Sequence, residues 1–245
     1  MARRPGQGRR RGGPVAEARG GRSLGLGFGL LAVTVASVGL AVAWSGRAGV
    51  EAGALSAERA GVAARLAEAA VAEAGAVWRE RARAERGVGY APASLRLYAG
   101  AAPDPCAGGA ATAGAFFCAE TRTLGVDLAT LDGIRARMRR DGEAATALFA
   151  GRAAALAAQA ALGMDAGGAG ARAAAGDCLA GVWAARSGLR GATPAVYGRT
   201  LAAAREAVAP GVARDAALFA AGAEGPRQAA FARGLAAGTL AACGP

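Results

Sequence analysis

The chain has 245 residues and a net charge of +11, its basic side carried wholly by arginine, and it contains no histidine. Without histidine it cannot build an imidazole metal site, a Ser–His or Cys–His nucleophile, or an imidazole general base. The length allows one ordinary domain plus an appendage, and with aromatics at 5% the core must be made from Leu, Val and Ala.

Residues 1–22 hold seven arginines and one acid, Glu17, and so carry +6 of the +11. This Gly/Pro/Arg composition predicts a disordered tail. Arginine runs can bind nucleic acid, but no aromatic is interleaved here to stack on bases, which argues against that partner. The next segment suggests a better one. From Ser23 to Gly46 there is no charged residue, and the stretch from Leu24 to Trp44 is apolar. As a helix with a rise of about 1.5 Å per residue, that stretch spans about 31 Å, the thickness of a hydrocarbon core. Trp44 falls at its far end, where an interfacial aromatic belongs.

Because the tail arginines all precede the apolar run, the positive-inside rule predicts three parts. Residues 1–22 are a cytoplasmic tail facing the anionic inner leaflet of the lipid bilayer. Residues 23–46 are one transmembrane helix, and 47–245 are an exported domain. Ala41-Val42-Ala43 fits a signal-peptide cleavage pattern, so a cleaved signal is the other reading. The apolar run exceeds a typical signal core, which favours the uncleaved anchor. Both readings export the rest of the chain.

A helix is predicted from residue 57 to about 86. Val62, Leu66, Ala69, Val71, Val77 and Trp78 are its apolar positions, and Gly87 to Pro92 break it. Three strand-like runs follow, over 94–98, 115–118 and 123–128, with a Gly/Ala loop between the first two. They predict a small antiparallel sheet. Residues 128–140 and 143–162 read as helices, the second ended by Gly163. A glycine-rich loop over 165–170 leads to a helix holding Asp177 and Cys178. The remainder reads as helical, with breaks at Pro194, Pro210 and Pro226. The expected fold class is α+β, mostly helical.

Cys106, Cys118, Cys178 and Cys243 are an even number in a segment predicted to meet an oxidising compartment, so disulfides are expected. Their spacing leaves all three pairings open. Ser56, Ser94 and Ser187 stand in no G-x-S-x-G context. Asp127, Asp132, Asp141 and Glu143 cluster in sequence and read as a solvated strand end and helix cap, not as a two-carboxylate site.

Several stretches together carry a resemblance. They are Ala76-Val77-Trp78, Cys106-Ala107-Gly108-Gly109-Ala110, Gly114-Ala115-Phe116-Phe117-Cys118, Val126-Asp127-Leu128 and the run from Gln228 to Cys243. The most specific is Asp177-Cys178-Leu179-Ala180-Gly181-Val182-Trp183-Ala184. Over nearly its whole length the chain resembles the bacterial neutral zinc metallopeptidase family, single-anchor membrane proteins with a zincin-like domain. The resemblance implies a zincin-like domain behind one transmembrane helix in the bacterial inner membrane, with the C-terminal domain periplasmic or extracellular. It also implies the disulfides Cys106–Cys118 and Cys178–Cys243.

The family's zinc site does not carry over. Counting back from Gln159-Ala160-Ala161-Leu162-Gly163-Met164, its first histidine falls on Arg152, its glutamate base on Ala153 and its second histidine on Leu156. Its third ligand falls on Ala173. Only the aspartate that orients a ligand histidine is kept, as Asp177. The expectation is therefore a catalytically inactive homologue with no catalytic residue, metal or cofactor, acting by binding or scaffolding a peptide or protein partner. The alternatives are a working metallopeptidase with non-standard ligands and a structural membrane protein with no ligand. A buried Asp177 without its imidazole would be a costly unpaired charge. Arg152 is expected to pair with it and so join the two helices; the other reading has Arg152 in solvent and Asp177 capping a loop.

Overall fold

The structure, a computed structural model, describes residues 55–104, 106, 108–109, 111–208, 215, 218–219 and 224–244. The arginine tail, the apolar run over 23–46, residues 47–54 and Pro210 lie outside these. Among the described residues no helix is long and apolar enough to cross a membrane.

Helix α1 (Ala57–Arg86) starts where the Ser56 hydroxyl accepts the Arg59 N–H, and ends where Gly87 turns left-handed at φ 65°. Its buried stripe is Ala63, Ala67, Ala70, Val71, Ala74, Trp78 and Ala82. The larger Val62, Leu66 and Val77 flank that stripe half-buried, and Ala69 is exposed. Alanine leads this stripe because its methyl lets the neighbouring backbone come close, which a ranking by side-chain size does not foresee.

Strand β1 (Ser94–Tyr98) is followed by a short hairpin, β2 (Ala101–Pro103) and β3 (Ala111–Ala113), then β4 (Ala115–Cys118) and β5 (Thr123–Asp127). The three-stranded sheet has the order β1-β5-β4. β5 pairs antiparallel with β4, Ala115 opposite Val126, but parallel with β1, Leu95 opposite Leu124. The sheet is thus mixed, and the antiparallel expectation is corrected. Parallel neighbours need a crossover connection, and residues 99–122, with the hairpin and β4 inside them, provide it. The hairpin itself replaces the Gly/Ala loop expected there.

β5 runs straight into α2 (Leu128–Met138), capped by Asp127, which accepts the Ala129 and Thr130 N–H groups at 2.9 and 3.2 Å. The same carboxylate accepts the Gly100 N–H at 2.8 Å and so ties the hairpin to the sheet. Asp132 is bonded to Arg59 and Arg135. Both acids are buried, so the solvated reading is corrected for them while the cap reading of Asp127 holds.

A 3-10 turn (Arg139–Asp141) leads into α3 (Gly142–Ala161). Every residue of α3 from Ala145 to Gln159 is buried, as in a helix surrounded on all sides. Around it come α4 (Ala169–Ser187), α5 (Pro194–Ala207) and α6 (Glu224–Ala237), then a 3-10 turn (Leu240–Cys243). Pro194 opens α5 and Pro226 lies in the first turn of α6. There a missing N–H costs nothing, so Pro226 does not break its helix as expected. α4 and α6 pack closely because Gly181 and Gly234 bring backbone against backbone: a Cβ on either would collide with the Phe231 or Cys178 carbonyl oxygen. The structure is α+β and mostly helical, with a small mixed sheet.

Candidate functional site

The centre of the helical layer is ionic. Arg152, in the middle of α3, has no exposed surface, and neither has Asp177 on α4. The Arg152 Nε donates to Asp177 Oδ1 at 2.7 Å, and its Nη2 reaches the Ala173 carbonyl at 3.4 Å. Arg152 and Asp177 therefore form the expected pair, and the reading with Arg152 in solvent does not hold.

The structure adds two partners. Arg227 of α6, also buried, grips Asp177 with two nitrogens, Nε to Oδ2 at 2.7 Å and Nη2 to Oδ1 at 2.8 Å. Its remaining Nη1 donates to the Leu218 carbonyl at 3.0 Å. The Tyr197 hydroxyl of α5 donates to Asp177 Oδ1 at 2.6 Å, and the Tyr197 ring stacks on Phe231 with centroids 4.2 Å apart. One carboxylate thus gathers side chains from α3, α5 and α6 onto α4.

Burial alone would push the Asp177 carboxyl up. The Arg152 charge, the Arg227 charge and hydrogen bonds, and the Tyr197 hydroxyl outweigh it and hold Asp177 below the usual carboxylate range. Burial and the neighbouring carboxylate push the Tyr197 phenol well above its ordinary value. The Asp177 contacts raise the Arg227 guanidinium despite its burial.

Arg152 fits because of what its neighbours lack. A Cβ on Gly176 would lie 2.5 Å from the guanidinium carbon and 2.6 Å from Nη1. Beside it, Gln159 donates to the Arg172 carbonyl at 2.7 Å, closing the start of α4 against the end of α3.

Ala153, Leu156 and Ala173 are buried in the same region, Ala153 and Leu156 on α3 and Ala173 one turn before Asp177 on α4. None carries a donor atom for a metal. Catalytic zinc takes three N, O or S ligands from protein. Here the single carboxylate of the cluster already accepts from two guanidiniums and a phenol, and the permanent Arg152 charge would repel a dication. The residues at these positions do not fit zinc. The other gathering of ligand-type side chains among the described residues is Asp104, Cys106 and Cys118. Its two cysteines are joined to each other and offer no thiolate.

The sulfurs are paired as Cys106–Cys118 and Cys178–Cys243, with Cα atoms 5.3 and 5.4 Å apart. The first ties the loop after β2 to the end of β4. The second ties α4, one residue beyond Asp177, to the C-terminal turn.

Tyr197 and Arg227 were not singled out by the sequence reading, yet a signal exists. Arg227, Ala230, Phe231 and Gly234 form the buried stripe of α6, and Tyr197, Thr200, Leu201 and Ala204 form that of α5. An arginine on the apolar stripe of a helix must find an acid.

Residues 2–175 match the model of the family described as "Putative neutral zinc metallopeptidase". The match covers well over half of the chain, and the chain belongs to that family. Arg152, Ala153, Leu156 and Ala173 lie inside the matched residues, while Asp177, Tyr197 and Arg227 lie beyond them. No curated protein and no solved structure matches the chain.

Proposed function

We propose that this member of the neutral zinc metallopeptidase family has lost the peptidase chemistry and acts by binding or scaffolding. In this reading the chain is held in a bacterial cell membrane by its apolar run, with its arginine tail on the anionic inner leaflet and residues 47–245 outside. The observation that carries the reading is Arg152. It stands where the resemblance places the first zinc ligand, and its guanidinium is committed to Asp177 at 2.7 Å. Ala153 and Leu156 add no base and no ligand, and a chain without histidine supplies no imidazole from elsewhere. Fold and chemistry separate readily within a family, and the two disulfides suit a domain outside the cytoplasm. A peptide or protein partner is the natural ligand class for a relative of peptidases.

Zinc content after dialysis and chelator-sensitive cleavage of a mixed peptide library, measured on the purified full-length chain, test this. The expected result is substoichiometric zinc and no cleavage. Stoichiometric zinc together with cleavage abolished by chelator would replace the proposal with a working peptidase using non-standard ligands.

A further inference from the structure

We propose that the Arg152–Asp177–Arg227–Tyr197 cluster is a metal-free structural centre selective for a guanidinium at position 152. It cross-links the helices where the family's zinc would sit, so that folding of the domain does not depend on a divalent ion. The inference takes its comparison with zinc from the functional reading above, but it concerns folding and stands on the geometry of the cluster.

Three features make this site a built one. The first is shape: the space for the Arg152 head exists because residue 176, facing it from α4, is glycine, and a methyl there would overlap the guanidinium carbon. The second is direction. Nε points to the Asp177 carboxylate at 2.7 Å while Nη2 turns to the Ala173 carbonyl at 3.4 Å, a divergence that a planar head with several donors meets and a single ammonium does not. The third is connectivity. Asp177 receives Arg152, Arg227 and Tyr197 at 2.6 to 2.8 Å, so one side chain joins four helices. A bound dication joins helices in the same way by collecting ligands from them.

The joint dependence of Arg152 and Gly176 gives a non-additivity to measure. In the parent, Gly176→Ala should lower the thermal midpoint by several degrees, because the new methyl displaces the guanidinium. With Arg152→Ala already in place the same change should cost less, because the guanidinium is gone and of the atoms closest to the added methyl only Gln159 Oε1, at 2.6 Å, still stands against it.

Arg152→Ala alone should lower the midpoint by about 10 °C, the shift expected from breaking a buried pair in a domain of this size. Millimolar N-ethylguanidinium, which replaces the missing head group, should restore part of that loss, and ethylammonium should not. Arg152→Lys should remain near the alanine variant. Neither chelator nor added zinc should move the parent's midpoint.

Gly176→Ala shifting the midpoint equally with and without Arg152, or Arg152→Lys matching the parent, would overturn the proposal. So would a parent whose midpoint falls on chelation. Should Arg152→Ala not fold, the Gly176→Ala and Arg152→Lys results decide alone. Because every readout is a midpoint, a chain found to cleave peptides through some other site would leave this inference standing, and additive effects of Gly176→Ala and Arg152→Ala would leave the functional reading standing.

Discussion

Arg227 meets Asp177 through two parallel contacts of 2.7 and 2.8 Å, from a position fifty residues further along the chain. Arg152 makes one contact with the same carboxylate. The firmer grip thus comes from an arginine beyond the stretch that matches the family model. The cluster holds two cations and one anion, so Asp177 is the member that neither arginine can lose.

Replacing Asp177 by Ala should therefore be the most damaging single change in the cluster, costing at least the ~3–5 kcal/mol typical of breaking a buried pair. Arg227→Ala should cost a similar amount, since it also strands the Leu218 carbonyl. Replacing Asp177, Arg152 and Arg227 together by apolar residues of similar volume should cost less than Asp177→Ala alone. Urea unfolding monitored by circular dichroism measures each.

Acid should unfold the domain through the same group. The folded-state pKa of Asp177 is depressed by Arg152, Arg227 and Tyr197, so its contribution is complete above the unfolded aspartate value of about 3.9. That contribution is lost as pH falls through the depressed folded value. Asp132, held down by Arg59 and Arg135 against its own desolvation, acts in the same direction. Tyr197 works at the other end. Its raised folded pKa keeps its contribution whole below about pH 10, to be lost as pH rises further. Urea midpoints taken across pH should fall at both extremes, and Asp177→Asn should flatten the acid limb.

The two disulfides should differ in weight. Cys178–Cys243 closes a separation of 65 residues and Cys106–Cys118 one of 12. The chain-entropy relation gives about 4 kcal/mol for the longer loop and about 3 kcal/mol for the shorter. Cys243→Ser should thus lower the unfolding midpoint more than Cys106→Ser. Paired serine variants at both ends of each bridge check that the effect comes from the loop and not from a freed thiol.

The proposed topology predicts that protease added to intact spheroplasts digests residues beyond 47 and spares the arginine tail. Epitope tags at the two ends report which part survives. A protected C-terminal tag beside a digested tail would reverse the orientation.

Much of this protein can be read from sequence because the signals are local. Ser56 and Gly87 mark the ends of α1, alternation marks β1, and short runs that follow a loop and a turn mark β4 and β5. The absence of histidine is read directly from the chain, and the resemblance places the family's zinc positions on residues 152, 153, 156 and 173. The resemblance pairs the cysteines correctly, and it also sets Arg152 opposite Asp177, where the argument that a buried carboxylate needs a cation gives their contact. What sequence could not supply depends on the chain returning to itself from far away. Parallel pairing of β1 with β5 is a property of the crossover between them, and alternation is the same for either direction of pairing. The alanine face of α1 is chosen by the closeness of its neighbours and not by hydrophobic size. The convergence of Tyr197 and Arg227 on Asp177 follows from how α5 and α6 pack around α3 and α4, where the Gly181–Gly234 contact sets how near α6 can come. Local composition fixed which residues needed partners; only the packing of the helices decided which partners they met.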